Sequence, residues 1–267
     1  MPIEVCVAGA TGWAGSALAR AVHEATDLNL VAALSRSAAG GSLGEALGVA
    51  DLDVCISGSA AEAMSTPCNV FVEYTKSDVA KQNVLVALEQ GAHVVVGTSG
   101  LTDQDYAEID QAARSHGRGV LAVGNFALTV VLLQKFAEMA ARFIPHREII
   151  DYAGSRKQDA PSGTARELAH RLSRFGESKL DVPLEETQGP RDARGVRLAG
   201  TLVHSVRLPG YVIAAEVIFG MPDQKLVIRH EAGSSAEPYV DGALLAIRKV
   251  GELKGLVRGL DSIMDFE

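Results

Sequence analysis

Short runs of β-branched and aliphatic residues alternate with longer stretches in which apolar side chains recur every three or four positions, and this alternation fills the first half of the chain. The runs at 3–8, 28–34, 54–56, 70–74, 92–96 and 119–122 predict strands. The stretches at 16–25, 79–90 and 104–116 predict amphipathic helices between them. Strands separated by helices are joined by crossovers, so the pattern predicts a doubly wound parallel sheet that ends near Phe126. A further helix is predicted at 130–143, and beyond Pro145 the pattern changes. There an apolar stretch at 148–151 leads through a loop of glycine, serine and lysine to a helix predicted at 162–175. The runs at 198–208, 211–219 and 224–230 follow with only turn residues between them, which predicts a mostly antiparallel sheet. A periodic stretch at 239–252 predicts a closing helix. The fold class is α/β: a doubly wound N-terminal domain of residues 1–127, joined by the C-terminal segment 239–267, and an α+β domain of residues 128–238.

Composition narrows the function. A chain of 267 residues, 47% hydrophobic, can bury the cores of two modest domains. A net charge of -8 repels nucleic-acid backbones and anionic lipid, so neither is an expected partner. No apolar run is long enough for a membrane span, and the start of the chain enters a strand without a charged leader, so a cytoplasmic protein is expected. Cys6, Cys55 and Cys68 lie among apolar or small neighbours without C-x-x-C spacing and are expected to be buried thiols. The histidines are scattered singly, with no metal-binding spacing, and no metal is expected.

The first strand runs directly into Gly9-Ala10-Thr11-Gly12-Trp13-Ala14-Gly15, which opens the first helix. Glycines there let the backbone turn tightly and approach a pyrophosphate, while the helix N-terminus supplies unpaired N–H groups and a positive dipole end. The same letters can spell a plain strand-to-helix turn; the order strand, turn, helix favours a Rossmann dinucleotide site. The second strand ends in Leu34-Ser35-Arg36-Ser37, with no acid for ribose hydroxyls, and Arg36 suits a 2′-phosphate or, alternatively, solvent. NADPH is therefore the expected cofactor, with NADH possible. Small-residue loops after Thr75 and at Gly97-Thr98-Ser99-Gly100 end later strands, where ligands of open parallel sheets bind.

The densest chemistry lies in Lys157-Gln158-Asp159-Ala160-Pro161-Ser162-Gly163-Thr164, a loop entering a helix. The N–H groups at the helix start, two hydroxyls and an ammonium would hold a carboxylate. An ordinary N-terminal cap by Asp159 or Ser162 is the plainer reading, but leaves Lys157 and Gly163 without a role. With the glycine turn, 71–75, 97–100, Asn125-Phe126 and Glu148-Ile149-Ile150, this loop resembles the dihydrodipicolinate reductase family over nearly the whole chain. The resemblance implies a nicotinamide-dependent reductase of bacterial lysine synthesis, acting on a small carboxylated cyclic imine or related unsaturated acid, and a homo-tetramer joined through the second sheet. It implies cofactor contacts from the glycine turn through Ala14, from Arg36, from Gly97, Thr98 and Ser99, and from Gly124, Asn125, Phe126 and Ala127. It gives Lys157 as the catalytic ammonium and Ser162, Gly163 and Thr164 as the substrate-carboxylate site.

The chain departs from the family in defined places. A histidine pair ahead of the lysine is replaced by Tyr152-Ala153-Gly154-Ser155-Arg156. A later family histidine falls within Ile213-Ala214-Ala215, and a family arginine is Ser235. Ala127-Leu128-Thr129 stands where serine and glycine are usual, and Trp13 where arginine is common, whereas His230 matches. Reduction needs a proton as well as a hydride, and Lys157 is the best remaining acid; losing one general acid costs about 10²–10⁴-fold. Two alternatives stay open: a paralogue with a different acceptor, such as an imine reductase or amino-acid dehydrogenase, and a non-catalytic NADPH-binding sensor.

Overall fold

The computed structural model describes residues 1–266 and divides the chain into two compact units, Met1–Leu128 with the segment from Ala236 onward, and Thr129–Ser235. In the first, β1 (Ile3–Ala8), α1 (Trp13–Glu24), β2 (Leu28–Leu34), α2 (Leu43–Leu47), β3 (Ile56–Ser57), α3 (Ala60–Ala63), β4 (Val70–Glu73), α4 (Ser77–Glu89), β5 (His93–Val96), α5 (Asp103–Ser115) and β6 (Gly119–Ala122) follow in order. In the second come α6 (Leu128–Ala141, whose first residue belongs to the first unit), β7 (His146–Ala153), α7 (Gly163–Ser173), β8 (Val196–Leu198), β9 (Thr201–Arg207), β10 (Ile213–Met221) and β11 (Gln224–Ala232). The chain then returns to the first unit with α8 (Val240–Lys249) and β12 (Gly255–Arg258).

The first sheet has the order β12-β6-β5-β4-β1-β2-β3, every neighbouring pair parallel. Its central strands are apolar on both faces because helices cover both: Val5 to Ala8 on β1 and Phe71 and Val72 on β4 are fully buried. Burying each valine or phenylalanine among them stabilises the unit by about 1.5–3 kcal/mol before entropy is counted. Helix α5 starts at a capping box, in which Thr102 accepts from the Asp105 amide and Asp105 accepts from the Thr102 amide, so two orphan donors are satisfied at once.

The second sheet, β11-β10-β7-β9-β8, is antiparallel except for the parallel pair β7 and β9. Strand β7 alternates strictly, so Arg147, Ile149, Asp151 and Ala153 are buried while Glu148, Ile150 and Tyr152 are partly exposed on the other face. Ile149, Val203, Ala215, Val217 and Phe219 pack with Leu133 and Ala137 of α6 and Leu168 and Leu172 of α7.

Several expectations change. Cys6 and Cys68 are buried, but Cys55 is exposed: it lies before β3, in a connection held to Ser42 by an isolated bridge, and the strand expected at 54–56 is confined to Ile56–Ser57. The run at 198–208 is two strands, β8 and β9, because Ala199 and Gly200 both take positive φ and turn the chain back on itself. Helix α7 begins at Gly163, with Ser162 as its cap. Beyond the closing helix the chain adds β12 beside β6, a strand too short and glycine-led to stand out in the sequence. No helix among the described residues is long and apolar enough to cross a membrane, and none of their His, Cys, Asp and Glu side chains cluster to hold a metal.

Candidate active site

The strand order of the first sheet reverses between β1 and β4, and a cleft of about 580 Å³ opens there at the carboxyl ends of the strands. Gly9, Thr11 and Gly12 line it from one side, Arg36 from the end of β2, and Thr75 and Asn83 from beyond β4. The backbone is shaped for close approach. Gly9 has φ +81°, and a Cβ there would lie 2.4 Å from the Tyr74 carbonyl oxygen. A Cβ on Gly15 would lie 2.1 Å from the Gly9 carbonyl oxygen, so α1 packs directly on the turn. Helix α1 has Gly12 at its N-cap, no side-chain cap and no acid in its first turn, which leaves its N–H groups and dipole for an anion. Arg36 is exposed on a 3-10 turn, and Thr11 and Ser35 share a 2.6 Å hydroxyl hydrogen bond beside it.

A second cleft, of about 510 Å³, adjoins the first through Tyr74, Thr75 and Lys76, and Trp13, Gly97, Thr98, Ser99, Gly124, Asn125 and Phe126 line it. Tyr74 and Phe126 meet edge to face with centroids 5.6 Å apart, and a Cβ on Gly97 would lie 2.0 Å from the Tyr74 ring. Asn125 Oδ1 accepts from the Ala127 amide at 2.9 Å and closes the loop in which Phe126 is held. Trp13 is 60% exposed and meets Tyr239 at 5.7 Å, so the mouth of this cleft is aromatic. These clefts gather the expected cofactor residues apart from Ala10 and Ala127, which are buried and line neither. Tyr74, Lys76, Asn83 and Tyr239 line them without having been anticipated. For Tyr74 the signal was available, a residue at the carboxyl end of a strand; Tyr239 arrives from a distant segment and left none.

Beneath both clefts lies Glu73, fully buried at the end of β4. Its carboxylate accepts from the Thr75 amide at 2.7 Å, the Thr75 hydroxyl, Asn83 Nδ2 at 2.9 Å and the Thr98 hydroxyl at 3.3 Å. One side chain thus ties the loop after β4 to the loop after β5. Burial pushes its pKa up, and these hydrogen bonds offset that in part. The folded state therefore binds this proton more tightly than the unfolded chain does. Glu73's contribution to stability is full below the ordinary glutamate range and is lost as pH rises through its raised value. Glu73→Gln keeps the acceptor toward Thr75 and Thr98, and a flip of the Asn83 amide satisfies its new NH₂ group. That variant is expected to melt at a higher temperature than the parent at pH 7, with the gap closing toward pH 4.5, in paired thermal scans.

In the second unit, Lys157 Nζ meets Asp159 Oδ1 at 2.8 Å, with the lysine side chain 34% exposed. The aspartate is held below the usual carboxylate range by that ammonium. Ser162, nearly fully buried, caps α7 by accepting from the Ala165 amide at 3.3 Å, and Gly163 and Thr164 form the first turn behind it. That turn carries no acid of its own, so the N–H groups of Gly163 and Thr164 are left to an incoming group. The two residues flanking the replaced histidine stretch offer no acid in their place. Tyr152 points to the opposite face of β7 from Asp151, packs on Tyr211 at 5.1 Å and lies under the Arg229 guanidinium at 4.6 Å. Arg156 is exposed in the turn, and a guanidinium is not a general acid. His230 shares a row of the sheet with Ala215 and Asp151, and its Nδ1 lies 2.9 Å from the Thr129 hydroxyl. Burial lowers its pKa and favours the neutral ring. The basic stretch 191–197 is engaged with acids and carbonyls, Arg194 with Glu148, Arg197 with Glu177 and Arg191 with the Glu185 carbonyl.

A parallel sheet with an uncapped, glycine-built helix N-terminus at its switch point and a second unit carrying a lysine loop defines an NAD(P)H-dependent oxidoreductase. Family models described as dihydrodipicolinate reductase, N-terminus and C-terminus, match residues 3–126 and 129–264, and the chain belongs to that family. It is 39% identical to the 4-hydroxy-tetrahydrodipicolinate reductase of Thermosynechococcus vestitus, over 98% of this chain and 97% of that one. It is 36% identical to the enzyme of the same name from Bacillus pumilus, over 98% of each. Among solved structures, the dipicolinate-bound dihydrodipicolinate reductase from Paenisporosarcina sp. TG-14 superposes with a TM-score of 0.89 at 30% identity, covering 99% of this chain and all of that one. An amine dehydrogenase from Mycobacterium smegmatis, at 17% identity and TM-score 0.69, shares the fold.

Proposed function

We propose that this chain reduces 4-hydroxy-tetrahydrodipicolinate or a closely related small cyclic dicarboxylate, in lysine biosynthesis, with NADPH preferred over NADH. The observation that carries this reading is the lysine loop itself: an ammonium held by Asp159 beside a helix N-terminus with free N–H groups, in a chain related to named reductases along its whole length. The residues fit the cofactor, because the turn at Gly9 and Gly15 has no room for a side chain and α1 offers its amides to a pyrophosphate. Bound NADPH supplies a hydride. The chain's own groups do the rest: Arg36 pairs with the 2′-phosphate, the loops at Thr75, Thr98 and Asn125 orient the nicotinamide half, and Ser162, Gly163 and Thr164 hold a substrate carboxylate. Lys157 Nζ carries the proton that goes to the substrate as the hydride arrives on carbon.

Cytoplasmic location and a homo-tetramer joined through the open face of the second sheet belong to the same reading, and light scattering of the purified protein tests the latter. A different acceptor is favoured by one observation: Tyr152 lies on the opposite face of β7 from Asp151 and so offers no acid in place of the histidine pair, which suits an acceptor needing little proton assistance.

The functional test is loss of reduced-nicotinamide absorbance with freshly generated 4-hydroxy-tetrahydrodipicolinate, using NADPH and NADH in turn. Turnover with NADPH supports the reading; cofactor binding without turnover on this substrate moves the activity to another acceptor. The coenzyme preference is tested with Arg36→Ala. Charge-assisted hydrogen bonds contribute about 1.5–3 kcal/mol, so NADPH affinity is expected to fall about 10- to 100-fold while NADH affinity stays within about twofold. Titrations that follow quenching of Trp13 fluorescence measure both.

A further inference from the structure

The loop that carries Lys157 is tied to the second sheet by a buried ion pair. Asp151, on the helix-covered face of β7, has no exposed surface, and its Oδ2 accepts from Arg207 Nη2 at 2.7 Å, from the Ser162 amide at 2.8 Å and from Ser205 Oγ at 3.3 Å. Arg207, at the end of β9, donates through the same Nη2 to the Asp159 carbonyl at 2.7 Å, and through Nη1 to the carbonyls of Asp151 at 3.2 Å and Val206 at 2.9 Å. The loop is thereby held at two points: at Asp159, whose side chain holds Lys157, and at Ser162, the residue before Gly163.

We propose that Asp151 and Arg207 are positioning residues that set Lys157 and the first turn of α7 in the arrangement that receives a substrate carboxylate. The inference rests on the reading of Lys157 as the proton-bearing group.

Two physical arguments support it. Asp151 Oδ1 and Arg207 Nε are buried without hydrogen-bond partners. A buried ion pair left partly unsatisfied adds little net stability, and apolar residues of similar volume often serve as well. A role in folding alone leaves its presence at this loop unexplained, whereas two anchors on the loop explain it. The second argument is electrostatic. A lone carboxylate at Ser162 would compete with an anionic substrate for the positive end of α7; the Arg207 guanidinium neutralises it while leaving the Ser162 amide bonded. In the sequence Arg207 lies 50 positions beyond Lys157, and β9 brings the two together only in the fold.

The test compares Arg207→Gln and Asp151→Asn with the parent by hydrogen exchange resolved to the segment 155–165, by affinity for pyridine-2,6-dicarboxylate, by NADPH affinity and by melting temperature. Expected for Arg207→Gln are faster exchange in 155–165 with protection of β10 retained, and dicarboxylate affinity lower by about 10²-fold, the scale of loss that misplacement of a site by about an ångström brings. NADPH affinity is expected to be unchanged. If Arg207→Gln fails to fold, Arg207→Lys replaces it: its compact ammonium keeps the charge beside Asp151 but cannot span Asp159 as the guanidinium does, so the same changes are expected in smaller measure. Unchanged exchange in 155–165, or a loss shared equally by NADPH and dicarboxylate, overturns the proposal. Failure of the parent to bind the dicarboxylate counts against the functional reading instead. The two failures are distinguishable, because exchange in 155–165 is read without any ligand.

Discussion

Lys157→Met is expected to lower kcat/KM by about 10²–10⁴-fold, the range over which one general acid acts. Methionine keeps most of the apolar stem and removes the proton, so the substitution isolates the chemistry. The Lys157 and Asp159 side chains are 34% and 40% exposed, and a pair so hydrated contributes about 0–1 kcal/mol, so the melting temperature should barely change. NADPH affinity should not change either, because the residues that fit the cofactor lie in the first unit and Lys157 in the second. The fall should appear in kcat more than in KM if the ammonium acts when charge moves, and in KM alone if it serves as a fixed counter-charge to the substrate. Steady-state kinetics with NADPH saturating separates these. A binding-only sensor predicts something else: no turnover in the parent, and no difference between parent and variant in any ligand titration.

The legible parts of this site were those in which a local backbone demand is written in residue type. The turn from Gly9 to Gly15 can be read because two of its positions admit no Cβ, and Arg36 can be placed at the cleft because it follows the end of β2 beside the switch point of the sheet. The lysine loop could be read because a cap, a proline and a glycine before an apolar-periodic stretch announce a helix start. What escaped depends on contacts distant in sequence. Glu73 reads as a polar end to an apolar strand; that it is fully buried and gathers donors from three segments follows from parallel pairing of β4 with β5. Asp151 reads as one more position of an alternating strand, and its partner Arg207 as the charged end of another. Cys55 was misjudged for a related reason: small neighbours suggest burial, but the segment before β3 makes a single bridge and leaves the thiol exposed.

Gly15→Val is expected to abolish cofactor binding at any practical concentration and to destabilise the first unit by about 1–3 kcal/mol, the usual cost of overpacking, which lowers the melting temperature by several degrees. A Cβ at this position would lie 2.1 Å from the Gly9 carbonyl oxygen and 2.7 Å from its carbon, and both are backbone atoms of the turn that must approach the pyrophosphate. Nothing flexible is available to yield. Either α1 withdraws from the turn and takes its amides and dipole with it, or Gly9 leaves a conformation with φ +81° that Tyr74 already confines from the other side. Both outcomes dismantle the anion site, and a β-branched side chain adds its own bulk to the clash. Gly124→Ala is the matched control: Gly124 lines the second cleft, but an added Cβ there meets nothing within 4 Å, so the fold should tolerate it. NADPH titration and thermal scans on the two variants distinguish a glycine required by packing from one that merely lines the cleft. Tight NADPH binding by Gly15→Val would mean that the phosphates sit elsewhere than on α1.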